Sequence, residues 1–258
     1  MSGSRAKRQR QAARERPTAI VNSEHISRSA DAVLAVKFDE VVLRNRTVQV
    51  IVGLARAAFA QSKVVAALTN AGLLSAAAPN RRLFIEIALR LHWLQGLSSD
   101  ERRRAVDTML DKDRQDTNRI LEYLRDAEHE ADFDPTEMNA FELDNEAKGA
   151  IHQQATRLRA AVDASEVKPW STYSMWLEET KFAHASGTLA GSYAPTHDDR
   201  HMSSGTPDPM DPDLEGHRLI QAQIAVAAGF MLADEGIPEV VASRIATAFF
   251  GAAKRRAR

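Results

Sequence analysis

From residue 29 onward, apolar side chains recur every three or four positions rather than every second one. Leu34, Phe38, Val41, Val42, Ile51, Leu54 and Phe59 form such a series, the signature of a helix that buries one face. The run predicts one long helix, closed by Gly72 and the SAAAPN that follows it. Asn80 is expected to cap a second helix over residues 81–95. In GLSSDERRR, Ser99 stands ahead of Asp100 and Glu101, a helix start with acids in its first turn. That helix is expected to run to residue 126, charged enough to lie on the outside. Pro135 suits a first turn and opens a polar helix to residue 164, anchored by Ile151, Leu158 and Val162. Residues 170–193 follow Pro169 as a second core helix, and two helices over 214–234 and 238–253 close the chain. In the last of these Val241, Ile245, Ala248 and Phe249 share a face. Strand alternation, hairpin signals and internal repeats do not stand out, so the pattern predicts an all-α helical bundle of about seven helices.

The remaining punctuation sets the domain boundaries. Residues 1–28 are expected to be a disordered basic tail, since 1–16 hold six Lys or Arg against one Glu. Residues 29–194 form the core domain, and 195–213, with four of the nine prolines, read as a mobile loop. Residues 214–258 are expected to be a helical pair packing on that core.

Composition narrows the function classes. With 44% hydrophobic and 27% charged residues the chain resembles an average globular protein. A net charge of -1 leaves nucleic-acid binding to local patches. The two basic ends, the second being GAAKRRAR, are the only candidates, for weak phosphate contact. The absence of cysteine removes disulfide frameworks, thiol nucleophiles and thiolate zinc sites together. The uncharged stretch at 219–233 carries Gln221 and Gln223 and falls short of the roughly 20 apolar residues of a membrane span. The basic N-terminus leads into polar TAIVNSEHISR rather than an apolar signal segment. The expectation is a cytoplasmic protein with no membrane partner.

Two stretches bear candidate chemistry. In RRLFIEIALRLHWLQ, a wheel at about 100° per residue sets Glu86 about 40° and Arg90 about 80° from Arg82, one polar stripe. Trp93, Leu89 and Ile85 flank it on one side, Leu83, Leu94 and Ile87 on the other, with Phe84 and Leu91 behind. Only the arc of Ala88, His92 and Gln95 is left to face solvent. The stripe is therefore a narrow solvated slot or a buried network, and a carboxylate between two guanidiniums leaves a positive charge for an anionic ligand. On the second stretch, Tyr173, Leu177, Thr180, His184 and Gly191 share a face with Trp176 and Gly187 beside them, while Glu178, Glu179 and Ser186 point away. His184 then sits on the packing face, as a satisfied core residue or facing the stripe. In the latter case Glu86 orients its ring and leaves the other nitrogen as an acid or base.

The pairing of RRLFIEIALRLHWL with YSMWLEETKFAHASGTLAGSY resembles an uncharacterised bacterial family known only as a domain of unknown function. In that family an Arg-x-x-x-Glu helix precedes a helix bearing Tyr and a terminal His. The resemblance covers roughly residues 38–193 and falls on Arg82, Glu86, Tyr173 and His184, with Leu177 where the family often has Ser. It implies an all-α fold and no established activity.

Other constellations are weaker. HDDRH at 197–201 has two histidines at i, i+4 but no third ligand and a Gly/Pro-rich setting. The Glu-x-x-His pairs of di-metal bundles and the Arg-x(4–6)-His of helical ribonucleases are absent, Arg125 to His129 being one residue too short. No phosphate-cradling glycine loop, nucleophile elbow or dinucleotide fingerprint occurs. The sequence thus predicts, without a cofactor or metal, a binding or regulatory module. Its polar pocket would consist of Arg82, Glu86, Arg90, Tyr173 and His184 and take an anionic small ligand or a protein partner. The alternatives are a metal-independent ribonuclease or phosphodiesterase using His184 with Arg82 or Arg90, and a structural protein whose polar cluster fixes helix register.

Overall fold

The computed structural model describes residues 17–38, 45–129, 133–140, 149–197, 202–203, 205 and 214–254. The chain is all-α. Its helices are α1 (Thr18–Leu34), α2 (Arg46–Asn70), α3 (Ala78–Gln95), α4 (Ser99–Asp126), α5 (Thr136–Asn139) and α6 (Ala150–Thr156). They continue as α7 (Leu158–Ala164), α8 (Trp170–Ala183), α9 (Gly187–Tyr193), α10 (Glu215–Asp234), α11 (Glu239–Ala242) and α12 (Arg244–Lys254). Helix α3 occupies the centre, packed against α2, α8, α10 and α7. Helix α10 lies across both α3 and α2 and contributes to the core, while α12 closes against α1 and α10. Helix α2 is long and apolar enough to cross a membrane, but it also packs against α1, α3 and α10 as a core helix does.

The extra helices come from breaks inside longer periodic runs. Helix α1 begins at Thr18, so helix occupies 18–28, which were expected to be tail; residues 1–16 lie outside the described residues. The run expected as one helix over 29–71 is two, because Asn45 adopts an extended backbone and its side chain accepts from the Thr47 amide at 2.8 Å. Asn45, not recognised as a cap, supplies the acceptor that an exposed helix start lacks. At the other end Gly72 takes a φ of +73°, the left-handed turn that ends α2. Asn80 caps nothing: α3 already starts at Ala78, and Asn80 donates instead to Gln61. The α4 start is one residue earlier than expected, Ser98 forming a full capping box with Glu101.

Residues expected as one helix over 136–164 break at Arg157, whose φ of −127° and ψ of 114° are extended. Residues 170–193 break after Ala183, where Ser186 caps α9 by accepting from the Leu189 amide at 3.1 Å. Within the loop expected over 195–213, Thr196–His197 pairs antiparallel with Met202–Ser203, a two-residue bridge that no alternation announced. Apart from Pro195 and Gly205, the rest of that loop lies outside the described residues, as do 255–258 of the basic C-terminus.

One buried arginine ties several helix ends together. Arg102 is 1% exposed and donates from Nε to the Leu94 carbonyl at 2.9 Å and from a terminal nitrogen to the Leu97 carbonyl at 2.9 Å. These carbonyls lie at the end of α3, where helical partners run out. The same guanidinium meets Glu235 at 2.8 Å and Asp234 at 3.3 Å, at the C-terminal end of α10. Glu235 also accepts from Ser99 Oγ at 3.0 Å. Replacing Arg102 by Ala leaves a buried carboxylate without its cation. The expected loss is about 3–5 kcal/mol of unfolding free energy, read from urea denaturation; a loss below about 1 kcal/mol would show that the carboxylate finds water instead.

Candidate functional site

The stripe on α3 exists, but its members are spent on packing. Arg82 donates from Nε to Thr180 Oγ1 at 3.1 Å, stands 5.0 Å over the Trp176 ring and pairs with Glu86 at 3.5 Å. Glu86 accepts from Trp176 Nε1 at 3.1 Å. Arg82 and Glu86 therefore bind α3 to α8. Arg90 turns the other way and donates to the carbonyls of Gln154 and Ala155 at 2.8 and 2.9 Å. Those carbonyls belong to the end of α6, orphaned by the break at Arg157, so Arg90 completes a helix end. Burial lowers its pKa, against the opposing pull of Glu86 and Asp113.

Tyr173 is buried and stacks on Trp176 at 5.6 Å. His184 is not on the packing face. It lies just beyond the last residue of α8 with φ −125° and ψ 159°, exposed, and makes no hydrogen bond or ion pair with Glu86. A wheel drawn through residue 193 loses its meaning where the helix stops, and the constellation of Arg82, Glu86, Arg90, Tyr173 and His184 does not converge on a pocket. Nor do His184 and a guanidinium meet as the phosphodiesterase alternative requires. The buried face of α8 is rotated from Leu177, which is 43% exposed, toward Trp176 and Glu179.

That rotation creates a cluster the sequence did not disclose. Glu179, expected to point away, is 2% exposed and accepts from Arg81 Nε at 2.7 Å and from its terminal nitrogen. Arg81 is itself 7% exposed. Beside it lies His217 of α10, buried and stacked on Phe84 with ring centroids 3.8 Å apart. Ser62 Oγ donates to the Ala58 carbonyl at 3.0 Å, so the 2.9 Å contact with His217 uses the ring's Nε2–H as donor. Burial first, then the Arg81 charge, lower the His217 pKa from 6.5 to about 3. A histidine held neutral in this way is a structural link between α10, α2 and α3 and has no proton to exchange near neutrality.

Among the described residues, a cleft of about 550 Å³ opens between the second half of α3, the start of α8 and the middle of α10. Leu89, Leu91, Ile224, Val226 and Ala227 give it aliphatic walls. His92, Gln95, Lys168, Ser171, Thr172 and Gln223 supply its polar groups. The arc of α3 expected to face water, Ala88, His92 and Gln95, is the arc that lines this cleft. The α7–α8 connection forms the remaining wall, held by His92 Nε2 against the Val167 carbonyl at 2.9 Å and by Ser165 Oγ on the Ala161 carbonyl at 3.0 Å. The signal available in the sequence was that polar arc on an otherwise apolar helix. Among the described residues no three His, Asp or Glu side chains converge on a metal position, and Asp198 and His201 lie outside them.

The buried cluster has measurable consequences. Unfolded chain takes up a proton on His217 near pH 6.5, whereas the folded chain resists until about pH 3. Stability is therefore full above about 6.5 and falls on acidification, by about 1.4 kcal/mol per pH unit from this group. Between pH 7 and pH 5 the wild type is expected to lose about 2 kcal/mol more than His217→Gln; parallel urea curves for the two would refute the assignment. Glu179→Ala, which strands Arg81, is expected to cost about 3–5 kcal/mol, read from the shift in urea midpoint. No protein-family model, no curated protein and no solved structure matches the chain.

Proposed function

We propose that the chain is a binding module whose site is the cleft between α3, α8 and α10, occupied by a small molecule with an apolar body. The supporting observation is the cleft itself. Its volume of about 550 Å³ falls in the range of small-molecule sites, and its walls are mostly apolar with a few polar groups. The anionic-ligand reading of the sequence is thereby moved from the Arg82 stripe, whose groups already have protein partners, to the opposite edge of α3. Apolar walls open to water gain by being covered, at about 25 cal/mol per Å² of apolar surface removed from solvent.

Ala222 is half-buried on the cleft wall, so Ala222→Trp fills the space without cutting the core. The neutral dye N-phenyl-1-naphthylamine is expected to brighten and shift to the blue with the wild type and to lose this response with Ala222→Trp at unchanged melting temperature. An equal response from both proteins, or none from the wild type, would remove the cleft as the binding site.

A further inference from the structure

We infer that the occupant of the cleft is a single-chain aliphatic carboxylate, its chain along the α3–α10 wall and its head group at Lys168. The inference rests on the binding reading above and adds the ligand's chemistry, from three features of the lining.

The first is charge. Among the described residues lining the cleft Lys168 is the one Lys or Arg, beside the His92 ring, and there is no Asp or Glu. A cationic guest would be repelled and would meet no counter-charge; an anion meets an ammonium.

The second is hydrogen-bonding sense. The hydroxyls of Ser171 and Thr172 and the amides of Gln95 and Gln223 make no hydrogen bond among the described residues. His92 Nε2 is already committed to the Val167 carbonyl, whereas Lys168 donates to the Asp163 carbonyl and keeps two ammonium protons for a guest. The uncommitted groups are rich in donors, which suits a head group that only accepts. Among the described residues no arginine lines the cleft, and a dianionic phosphate head would call for a bidentate guanidinium clamp. One ammonium with hydroxyl donors matches a single negative charge.

The third is shape. The apolar walls are Leu, Ile, Val, Ala and Pro side chains, without Phe, Tyr or Trp. Apart from the His92 imidazole, no described lining residue offers a ring face on which a planar aromatic body would stack. A flexible alkyl chain is the body such walls accommodate.

The test is calorimetric titration of the full chain with decanoate, 1-decanol and decyltrimethylammonium, all below their aggregation limits, repeated on Lys168→Gln and Ala222→Trp. Decanoate is expected to bind about tenfold more tightly than decanol, and the ammonium not at all. Lys168→Gln is expected to weaken decanoate about fivefold, the size of one exposed charge contact, and to leave decanol unchanged. Ala222→Trp is expected to abolish both. Decanol binding as tightly as decanoate, or Lys168→Gln leaving decanoate unaffected, overturns the inference while the cleft remains a neutral apolar site. Decanoate binding that survives Ala222→Trp places the carboxylate elsewhere and also overturns it. Absence of decanoate binding overturns it outright, and if the naphthylamine dye is silent too, the binding reading falls with it.

Discussion

Helix α3 is left almost no face toward water, and this enclosure governs the polar chemistry around it. Phe84, Ile85, Ile87, Leu89, Leu91, Trp93 and Leu94 are all buried, pointing in every direction around the axis. A guanidinium on such a helix reaches bulk solvent only with difficulty, and burying it unmatched would cost several kcal/mol. Each arginine of α3 therefore has a partner on a neighbouring element. Arg81 takes Glu179, Arg82 takes Thr180, Trp176 and Glu86, and Arg90 takes the two open carbonyls at the end of α6. These contacts specify which helices may surround α3, since no aliphatic side chain would satisfy the same groups.

The apolar part of this arrangement was legible in the sequence, and the polar part only in its existence. A wheel through 81–95 correctly makes the helix central, because burial on nearly all sides is a property of the helix alone. It cannot assign partners, because those depend on the rotation of α8. Tyr173 lies at the edge of the face shared by Leu177 and of that shared by Glu179, and the sequence offers no term to choose between them. Trp176 decides it, placing its ring under Arg82 and its indole N–H on Glu86; Leu177 is left partly in solvent and Glu179 is brought in against Arg81.

His184 and His217 show the same limit in opposite directions. His184 seemed internal only while the helical period was continued past Ala183, across a serine able to cap the next helix. His217 carries no sequence signal, since a single histidine near the start of α10 has no motif around it. Its burial depends on Ser62 and Phe84, far away in the chain. The helix breaks follow a similar logic: Asn45 and Ser186 carry visible capping side chains, whereas the break at Arg157 has no local signal and depends on Arg90 arriving from α3.

These internal links also explain why the cleft stays open. An apolar trough between helices would gain by closing, since each Å² covered is favourable. Helix α10 is pinned on both sides of the trough: His217 holds its first turn to Ser62 and Phe84, while Arg102 holds Asp234 and Glu235 at its far end. Its cleft residues, Ala222 to Ala227, lie between the two pins. Helix α3 is fixed in the same manner by Arg81 at its start and by Arg102 on the Leu94 carbonyl at its end. The third wall is tied by Glu179 within α8 and by His92 to the connection before it. Collapse of the trough would have to break buried, charge-assisted hydrogen bonds, each worth more than the gain from a few covered methyl groups. A guest of the kind proposed would meet walls already in place, and little of its binding energy would be diverted into ordering them.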